Sequence, residues 1–554
     1  MLTPRAKRIG RICSLLVGCM LLTVVAELAW SDDMHSAGDA SEVTRCESLV
    51  ETDFSHIPEA PTQISAAKVV TELEDVLGNL GWPEFRGLAE IAAKHAGKVQ
   101  PYCRVRGYVT PNVGFELLLP VKHWNGKFLH VGCGGWCGTT GYVDFFCPQH
   151  PDYACIGTDM GHSGDGGLWF RNNPQAQIDF SYRATHVVTL AGKALTERYY
   201  AKRAEKSYFL GCSTGGYQGM VEAQRFPWDF DGIVAGDPDM DEADLAAHGI
   251  WIKRNFLGED GKPILRPQQI QLVHRAALAQ CDLDDGLKDG LISDPRHCKF
   301  DPAELLCKAG TRGADSDCLS APQVQAVKNI YGSPVNSKGV RLSPLGVFPG
   351  SENLWAESFA DTWGDEYFKA TGLLSEGGKP WKYTDFDFDR DYARSGVGVI
   401  FPDTDPDLRR FKAAGGKLMV YQGGHDVLNF PGSIVDYYET VEKTMGGRAP
   451  TQDFFRLFMI PGMNHCTDGD GAFAIDYFGY LEAWVERKTP PDAMVGAHAE
   501  GLQKFESWFP LKPGTHVAFT RPLYPYPQYA KYIGRGDPNK AENFKPVLPA
   551  GATK

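Results

Sequence analysis

The stretch "KSYFLGCSTGGYQGMVEAQ", residues 206–224, constrains the fold of this chain more than any other. Its first six residues are largely apolar and predict a short buried β-strand, and its second half predicts a helix. Between them, Ser213 occupies a Gly-x-Ser-x-Gly pattern, with Gly211 and Gly215 at positions where side chains would clash. The pattern alone is weak, but a strand before it and a helix after it indicate a nucleophile elbow.

Strands and helices alternate along much of the chain. Short β-rich runs between about residues 104 and 156 precede a helical periodicity between residues 179 and 203. The runs "FDGIVAGDP", "GGKLMVYQGGHD" and "FFRLFMIPGMNHC" predict further strands, each followed by a loop. This alternation predicts an α/β fold in which helices flank a parallel sheet. From residue 239 to 402 the alternation breaks, and we interpret this stretch as a lid inserted between two sheet strands.

The first 31 residues have the composition of an export signal. Four basic residues precede the apolar run "ICSLLVGCMLLTVVA", and Ala29–Ser31 puts small residues where a signal peptidase cleaves. A lipoprotein is the alternative, because residues 16–19 have lipobox form, but the apolar run continues beyond Cys19. No later segment has 18 uninterrupted apolar residues, which predicts a soluble, secreted or periplasmic mature chain.

Composition and cysteine content narrow the class of protein. The chain has 554 residues, 43% of them hydrophobic, and a net charge of −13 without a basic patch for nucleic acid. Of its 14 cysteines, two lie in the signal segment and twelve after it, which in an exported chain indicates disulfides. Zinc is the alternative for Cys133, Cys137, Cys147 and Cys155, although an oxidising compartment disfavours it.

A serine nucleophile needs a base and an acid, and an α/β-hydrolase supplies them in the order Ser, Asp or Glu, His. Asp426 ends the late strand-and-loop run "KLMVYQGGHD", and His465 follows the last strand, 39 positions further on. His425 precedes the acid on the same loop, so we interpret it as a loop residue. The other serine pattern, "GHSGDG" around Ser163, lacks a following helix and is interpreted as a structural loop.

A cysteine adjoins both the predicted nucleophile and the predicted base. Cys212 precedes Ser213, and Cys466 follows His465. If the two catalytic residues touch, their neighbours come within the distance of a disulfide. The sequence therefore predicts a Cys212–Cys466 bridge that ties the two catalytic loops together.

The Cys-Ser, Asp, His-Cys arrangement resembles the tannase and feruloyl esterase family, which includes bacterial mono(2-hydroxyethyl) terephthalate hydrolases. The resemblance extends over most of the mature chain, through "PYCRVRGYVTPNVGFELLLP", "WNGKFLHVGCGG", "GTDMGH", "AQRFPWDFDGIVAG", "TDPDLRRFKAAGGKL" and "PGMNHC". It implies an α/β-hydrolase fold with a large lid between nucleophile and acid. The expected organisation is a signal (1–31), the first hydrolase part (32–238), the lid (239–402) and the second hydrolase part (403–554).

The resemblance also implies a calcium site in the lid, at "CDLDDGLKDGLISDPRHC". Carried over by position, its ligands are three carboxylates and two carbonyl oxygens: Asp282, Asp285 and Asp289, with Leu287 and Leu291. Hard oxygen ligands of this kind suit Ca²⁺. The alternative is an acidic solvated turn, since the EF-hand register fails at Ser293. Three bridges are expected besides Cys212–Cys466, namely Cys281–Cys298, Cys307–Cys318 and Cys46–Cys103, and the pairing of the remaining four cysteines stays open.

An oxyanion hole is expected at the amide of Thr214, with a second donor at Gly134 or Gly135. Some positions depart from the family's usual residues, among them Cys133, Tyr217 and the "GDPD" turn at residues 236–239. These departures lie near the expected pocket, so they leave the substrate open.

The sequence therefore predicts an exported serine carboxylesterase that acts on a small aromatic acid ester through an acyl-enzyme. Lid aromatics that suit such rings are Trp355, Trp363 and Trp381. One rival is a catalytically silent protein that binds phenolics on the same fold, and another is an amidase or peptidase. The intact triad disfavours the first rival, and no residue that would place an amine leaving group supports the second.

Overall fold

The structure is a computed structural model. It describes residues 41–71, 100–164, 166–258, 261–308, 317–344, 346–357, 363–370, 381–394, 403–502 and 505–550. The predicted signal segment, residues 1–31, lies outside them. No helix within these residues is long and apolar enough to span a bilayer.

Thirteen strands are formed by the described residues. They are β1 (Thr62–Val70), β2 (Tyr102–Val109), β3 (Val113–Pro120), β4 (Lys127–Val131), β5 (Ala154–Thr158), β6 (Lys206–Cys212), β7 (Gly232–Gly236), β8 (Lys417–Gly423), β9 (Phe455–Ile460), β10 (Met494–Ala499), β11 (Val517–Leu523), β12 (Tyr529–Tyr532) and β13 (Phe544–Val547).

Thirteen α-helices with defined bounds accompany them in the same part of the chain. They are α1 (Tyr142–Phe146), α2 (Pro174–Ile178), α3 (Ala184–Tyr200), α4 (Thr214–Arg225), α5 (Glu242–Phe256), α6 (Pro267–Cys281), α7 (Ala321–Tyr331), α8 (Trp363–Ala370), α9 (Asp391–Arg394), α10 (Arg409–Ala414), α11 (Pro431–Thr444), α12 (Arg448–Gln452) and α13 (Tyr477–Arg487).

Nine of the strands form one sheet in the order β1-β2-β3-β5-β4-β6-β7-β8-β9. From β5 to β9 all neighbours are parallel, which confirms the predicted α/β fold. The prediction of a parallel sheet is wrong for β1, β2 and β3, which pair antiparallel at one edge. Strands β2 and β3 are joined by a short turn, and such a turn reverses the chain instead of crossing the sheet through a helix.

Register brings the ends of the central strands to one edge of the sheet. Cys212 of β6 pairs with Gly236 of β7, and Gly236 pairs with Tyr421 of β8, which pairs in turn with Phe458 of β9. Because parallel strands all point the same way, the loops after them meet at their carboxyl ends. Ser213, Asp426 and His465 all lie in these loops.

Helices cover both faces of the sheet. The α3 residues Val187, Val188 and Leu195 belong to the larger buried cluster on one face. On the other face, Leu481 and Val485 of α13 approach β7 so closely that a Cβ on Gly232 would lie 2.9 Å from Val485. The sheet is therefore buried on both sides, as its continuous apolar strands require.

Between β7 and β8 the chain leaves the sheet. The described residues of this stretch contribute helices α5 to α10 and no strand of the nine-stranded sheet. Buried residues from it, such as Val327 and Trp355, belong to the same apolar cluster as Phe209 of β6. The inserted segment thus packs directly on the sheet's own core, while its boundaries at residues 239 and 402 stay a prediction.

Candidate active site

Ser213 lies on the sharp turn between β6 and α4. Its backbone has φ 62° and ψ −125°, a conformation that residues other than glycine rarely adopt. The turn is closely packed, because a Cβ on Gly211 would lie 2.6 Å from the carbonyl oxygen of Gly215. A Cβ on Gly215 would in turn lie 2.8 Å from the carbonyl oxygen of Cys133. Both glycines are therefore required for the elbow to form.

Asp426 and His465 form a direct pair. His465 Nδ1 and Asp426 Oδ2 are 2.9 Å apart, and Asp426 is completely buried. The other carboxylate oxygen accepts hydrogen bonds from the backbone N–H groups of Leu428 and Asn429, at 2.8 and 3.0 Å. These bonds fix the carboxylate so that it orients the imidazole, the arrangement expected of a triad acid and base.

A disulfide connects the elbow to the histidine loop. Cys212 and Cys466 are bonded, with Cα atoms 6.0 Å apart, as their adjacency to Ser213 and His465 predicts. Within the described part of the chain, the Oγ of Ser213 makes no hydrogen bond to protein. The contact between serine and imidazole is therefore open in this structure, as is common before a substrate binds. The bridge keeps the two loops within reach of each other.

His425 lies next to Asp426 but is used differently. It is 5% exposed and faces the inserted segment, where a Cβ on Gly350 would lie 2.8 Å from its Nε2 atom. Burial lowers the pKa of this imidazole. Its position agrees with the interpretation of His425 as a loop residue.

The candidate oxyanion donors lie on two segments that touch. Thr214 begins α4, so its backbone N–H has no partner within the helix. The hydroxyl of Thr214 donates to the carbonyl oxygen of Gly135, at 2.7 Å. No described residue accepts a hydrogen bond from the backbone N–H of Gly134 or Gly135. The Cys133–Cys137 disulfide closes this loop against the elbow.

Two buried carboxylates near the triad were not predicted from the sequence. Asp237 directly follows β7 and is completely buried; its Oδ1 accepts from Gly423 N at 2.7 Å, and its Oδ2 from Cys466 N at 3.2 Å. Burial and the neighbouring Asp426 carboxylate raise the pKa of Asp237 well above that of an ordinary aspartate. Asp239 is 3% exposed, and burial raises its pKa to about 6 although the His465 ring opposes this.

The sequence did carry a signal for these residues. Both lie in the "GDPD" turn that was noted only as a departure from the family's usual residues. A rule that could have found them is that aspartates directly after a central parallel strand lie at the same edge as the nucleophile. Their pairing with Asp426 depends on strand register and could not be read from the sequence.

The predicted calcium loop is a compact acidic turn. Asp282 and Asp285 are 4% and 3% exposed, and neither forms an ion pair with lysine or arginine among the described residues. Asp289 contacts Arg521, with 2.7 Å between Oδ2 and a guanidinium nitrogen. The carbonyl oxygens of Leu287 and Leu291 accept no backbone hydrogen bond in this part of the chain.

The donor types in this loop suit a hard cation. Two buried carboxylates without a cationic partner are costly, and a bound Ca²⁺ would supply the missing charge. Gly286 and Gly290 have φ of 87° and 83°, which lets the chain turn tightly around the site. The ligand role of these residues remains a prediction.

All twelve cysteines after residue 31 are paired. The bridges expected from the sequence are present at Cys46–Cys103, Cys281–Cys298 and Cys307–Cys318, besides Cys212–Cys466. The four unassigned cysteines pair as Cys133–Cys137 and Cys147–Cys155. Bridged sulfurs carry no thiolate, so the zinc alternative is wrong.

The lid aromatics named from the sequence differ in their surroundings. Trp355 is 1% exposed and packs edge-on against Tyr331, 5.2 Å between ring centroids, so it is a core residue of the inserted segment. Trp381 is 9% exposed and lies near Phe368. Trp363 begins α8, and its side chain lies outside the described structure.

Comparison with known proteins settles the family. The family model "Tannase and feruloyl esterase" matches residues 97–381 and 389–547. The chain belongs to the tannase and feruloyl esterase family. It is therefore a carboxylic ester hydrolase.

Individual relatives of the tannase and feruloyl esterase family agree. The chain is 32% identical to mono(2-hydroxyethyl) terephthalate hydrolase of Piscinibacter sakaiensis, over 86% of this chain and 91% of that protein. It is 32% identical to a probable feruloyl esterase B-2 of Aspergillus terreus, over 78% of this chain and 84% of that one. The crystal structure of feruloyl esterase B from Aspergillus oryzae superposes with a TM-score of 0.78, 27% identity and coverage of 91% and 100%.

Proposed function

We propose that this protein is a serine esterase that hydrolyses esters of aromatic acids through an acyl-enzyme. The observation that carries the proposal is the connection of Ser213 to the His465–Asp426 pair through the Cys212–Cys466 bridge. Nucleophile, acid and base stand in the order that an α/β-hydrolase requires, and all three follow parallel strands of one sheet.

The reaction takes two steps. The Oγ of Ser213 attacks the ester carbonyl carbon while the Nε2 of His465 accepts its proton; the imidazolium then protonates the departing alcohol oxygen. Water attacks the resulting acyl-enzyme with the same imidazole as base, and the acid leaves as Ser213 regains its proton. Asp426 stays ionised and holds the Nδ1–H of His465 throughout.

Negative charge develops on the carbonyl oxygen in both tetrahedral intermediates. In this proposal, the backbone N–H of Thr214 and one N–H from Gly134 or Gly135 donate to that oxygen. The positive end of α4 lies behind the same point. Donors that are already in place before the reaction need no reorganisation, and removal of one such donor typically costs about 10²–10³ in turnover.

The substrate class rests on the relatives. Those compared here are named for esters of terephthalic and ferulic acid, which share a planar aromatic acid. We therefore assign esters of aromatic acids as substrates. This class includes the esters of hydroxycinnamic, gallic and phthalic-type acids, and the proposal does not choose among them.

Calcium and export complete the proposal. A structural Ca²⁺ would be held by the carboxylates of Asp282, Asp285 and Asp289 and the carbonyls of Leu287 and Leu291, with no role in the chemical steps. Six disulfides support a mature chain that is secreted or periplasmic after removal of residues 1–31.

The test is a panel of methyl gallate, methyl ferulate, chlorogenate and terephthalate and phthalate half-esters, with methyl hexanoate as an aliphatic control. We expect at least one aromatic ester to be hydrolysed far faster than the aliphatic ester. A serine-reactive phosphonate should label Ser213, and labelling should abolish hydrolysis. Equal rates on aliphatic and aromatic esters would refute the substrate class, and labelling elsewhere would refute the nucleophile.

A further inference from the structure

The triad acid has a second carboxyl group beside it. One carboxylate oxygen of Asp237, one of Asp426 and one ring nitrogen of His465 all lie within 4.8 Å of one another. Both aspartates are completely buried. The side-chain amide of Gln422 bridges them, with its Nε2 atom 2.9 Å from Asp237 and 3.2 Å from Asp426.

Among the described residues, no lysine or arginine compensates two negative charges at this point. In the part of the chain that the structure describes, neither aspartate forms an ion pair with lysine or arginine. Four titratable groups face Asp237. Asp426 and His465 come from the loops after β8 and β9. Tyr421 belongs to strand β8, and Tyr477 begins helix α13. Asp239, two residues along its own loop, adds a further carboxyl. Two carboxyl groups this close to each other in a buried site do not both ionise.

The hydrogen bonds decide which aspartate holds the charge. Asp426 accepts from His465, from two backbone N–H groups and from the Gln422 amide. Asp237 accepts from two backbone N–H groups and the same amide, and it has no bond to the imidazole. Because hydrogen-bond donors favour the ionised form, the charge belongs on Asp426 and the proton on Asp237.

We propose that Asp237 and Asp426 share one proton behind His465, with Asp237 holding it, so that the pair carries one negative charge. The protonated carboxyl of Asp237 donates to Asp426. Its oxygens accept from Gly423 N at the end of β8 and from Cys466 N in the loop that carries His465. Asp237 is thus a positioning residue for the triad. This inference rests on the proposed roles of Ser213, His465 and Asp426.

Counting charges gives a test that a merely structural role would not satisfy. Asp237→Asn leaves Asp426 ionised. Asp426→Asn removes the partner, so Asp237 loses its proton and becomes the charge behind His465. Each single variant therefore keeps one negative charge, and only the double variant has none. Asp239, whose pKa burial raises to about 6, is present in every variant and titrates within the measured range, so the test compares the variants only with one another and with the parent.

The experiment measures kcat/KM for p-nitrophenyl acetate between pH 4 and 9 with the full-length secreted enzyme. The acid limb of this profile reports protonation of the base. We expect the midpoint of the acid limb in Asp237→Asn to lie within about 0.3 pH unit of the parent's midpoint. In Asp426→Asn the midpoint should lie within about one pH unit of the parent's. In the double variant it should fall by about 1–3 pH units, since an opposite charge within a few ångströms has been removed.

Two results would overturn the proposal. A limb that falls by a pH unit or more in Asp237→Asn would mean that the parent carries two charges. A limb that falls as far in Asp426→Asn as in the double variant would mean that Asp237 cannot supply the charge. If Asp237→Asn does not fold, the Asp426→Asn profile alone decides. Ser213→Ala serves as a separate control, because hydrolysis at the parent's rate in that variant would refute the nucleophile and not the pair.

Discussion

At the scale of single residues, the site depends on a backbone that few residues tolerate. Ser213 holds φ at 62°, and the cost of this conformation must be met by the packing around it. Gly211 and Gly215 provide that packing, because each lies within 2.8 Å of backbone where a Cβ would stand. The strained turn places Ser213 at the carboxyl end of β6, the edge of the sheet at which the loops that carry Asp426 and His465 also lie.

The triad prediction belongs to this scale. Ser213→Ala and His465→Ala should each lower kcat on the best aromatic ester by about 10⁴–10⁶, and the double variant should be scarcely worse, because nucleophile and base act as one unit. The matched control is Ser163→Ala, since Ser163 is an exposed serine in the other glycine-rich loop. Its kcat should equal the parent's. Additive losses in the double variant would show that the two residues act independently.

Residues of the site divide into those that the sequence could predict and those that it could not. Ser213, Asp426 and His465 have positions fixed by local pattern and by chain order, and the structure brings them to one edge of the sheet. The partnership of Asp237 with Asp426 depends on which strands are neighbours and on complete burial. Neither property has a local signature, so the second carboxyl emerged only from the structure.

At the scale of elements, the antiparallel edge of the sheet is held by a buried charge cluster. Arg104 of β2 contacts Glu116 of β3 and Asp144 of α1, and all three side chains are at most 3% exposed. Burial, and then the charge of Glu116, raise the pKa of Asp144 to about 7 even with the arginine present. Without Arg104 the two buried carboxyl groups would lose the guanidinium that contacts both of them. The cluster therefore holds β2, β3 and α1 together only while Arg104 is present.

Replacement of Arg104 by methionine should destabilise the fold by about 3–5 kcal/mol at pH 8, because two buried carboxylates lose their partner. Arg106→Met is the matched control: Arg106 also contacts Glu116, but its side chain is 39% exposed, so the loss should stay below about 1 kcal/mol. Chemical denaturation measures both values. Equal losses in the two variants would contradict the role of the buried cluster.

The same cluster gives a direction for pH. A carboxyl whose pKa is raised in the folded state holds its proton more tightly there than in the unfolded chain. Stability from such a group is therefore present at low pH and is lost as the pH rises through about 7. The destabilisation of Arg104→Met should accordingly shrink when the denaturation is repeated at pH 5.

Elements could be predicted where their signal was local. The strands that precede Ser213, Asp426 and His465 were all predicted, as was helix α3. Strand direction at the other edge was not, because the apolar runs that form β2 and β3 have the same character whether their neighbours run parallel or antiparallel. Strand β1 lies outside the predicted strands, and its residues alternate between buried and exposed. The hairpin-like pairs β10–β11 and β12–β13 near the carboxyl terminus were also not anticipated.

The predicted calcium loop, residues 281–298, is the second element with a testable role. Asp285→Ala should lower the melting temperature, and a chelator should lower that of the parent but not of the variant, because a ligand that binds only the folded state stabilises it. Asp284→Ala, an exposed aspartate in the same loop, is the control and should respond to chelator as the parent does. A parent protein that contains calcium by elemental analysis yet melts unchanged after its removal would contradict the stabilising role.

At the scale of the whole molecule, one covalent link joins the two hydrolase segments on either side of the lid. The Cys212–Cys466 bridge spans 254 positions, whereas Cys307–Cys318 spans 11 within the lid. Loop-closure entropy assigns about 5 kcal/mol to the first bridge and about 3 kcal/mol to the second. The long bridge also holds catalytic residues in position, because its two ends adjoin Ser213 and His465. The short bridge adjoins neither of them.

The last prediction separates these two contributions. The double variant Cys212→Ala with Cys466→Ala should lose both stability and at least about 10²-fold in kcat, because the histidine loop is no longer held against the elbow. Cys307→Ala with Cys318→Ala should lose stability only, with kcat unchanged at a temperature where both variants are folded. Non-reducing peptide mapping of the parent should recover Cys212 linked to Cys466. An active parent in which Cys212 can be alkylated, or a bridge-free variant with full kcat, would show that the active site holds its geometry without the disulfide.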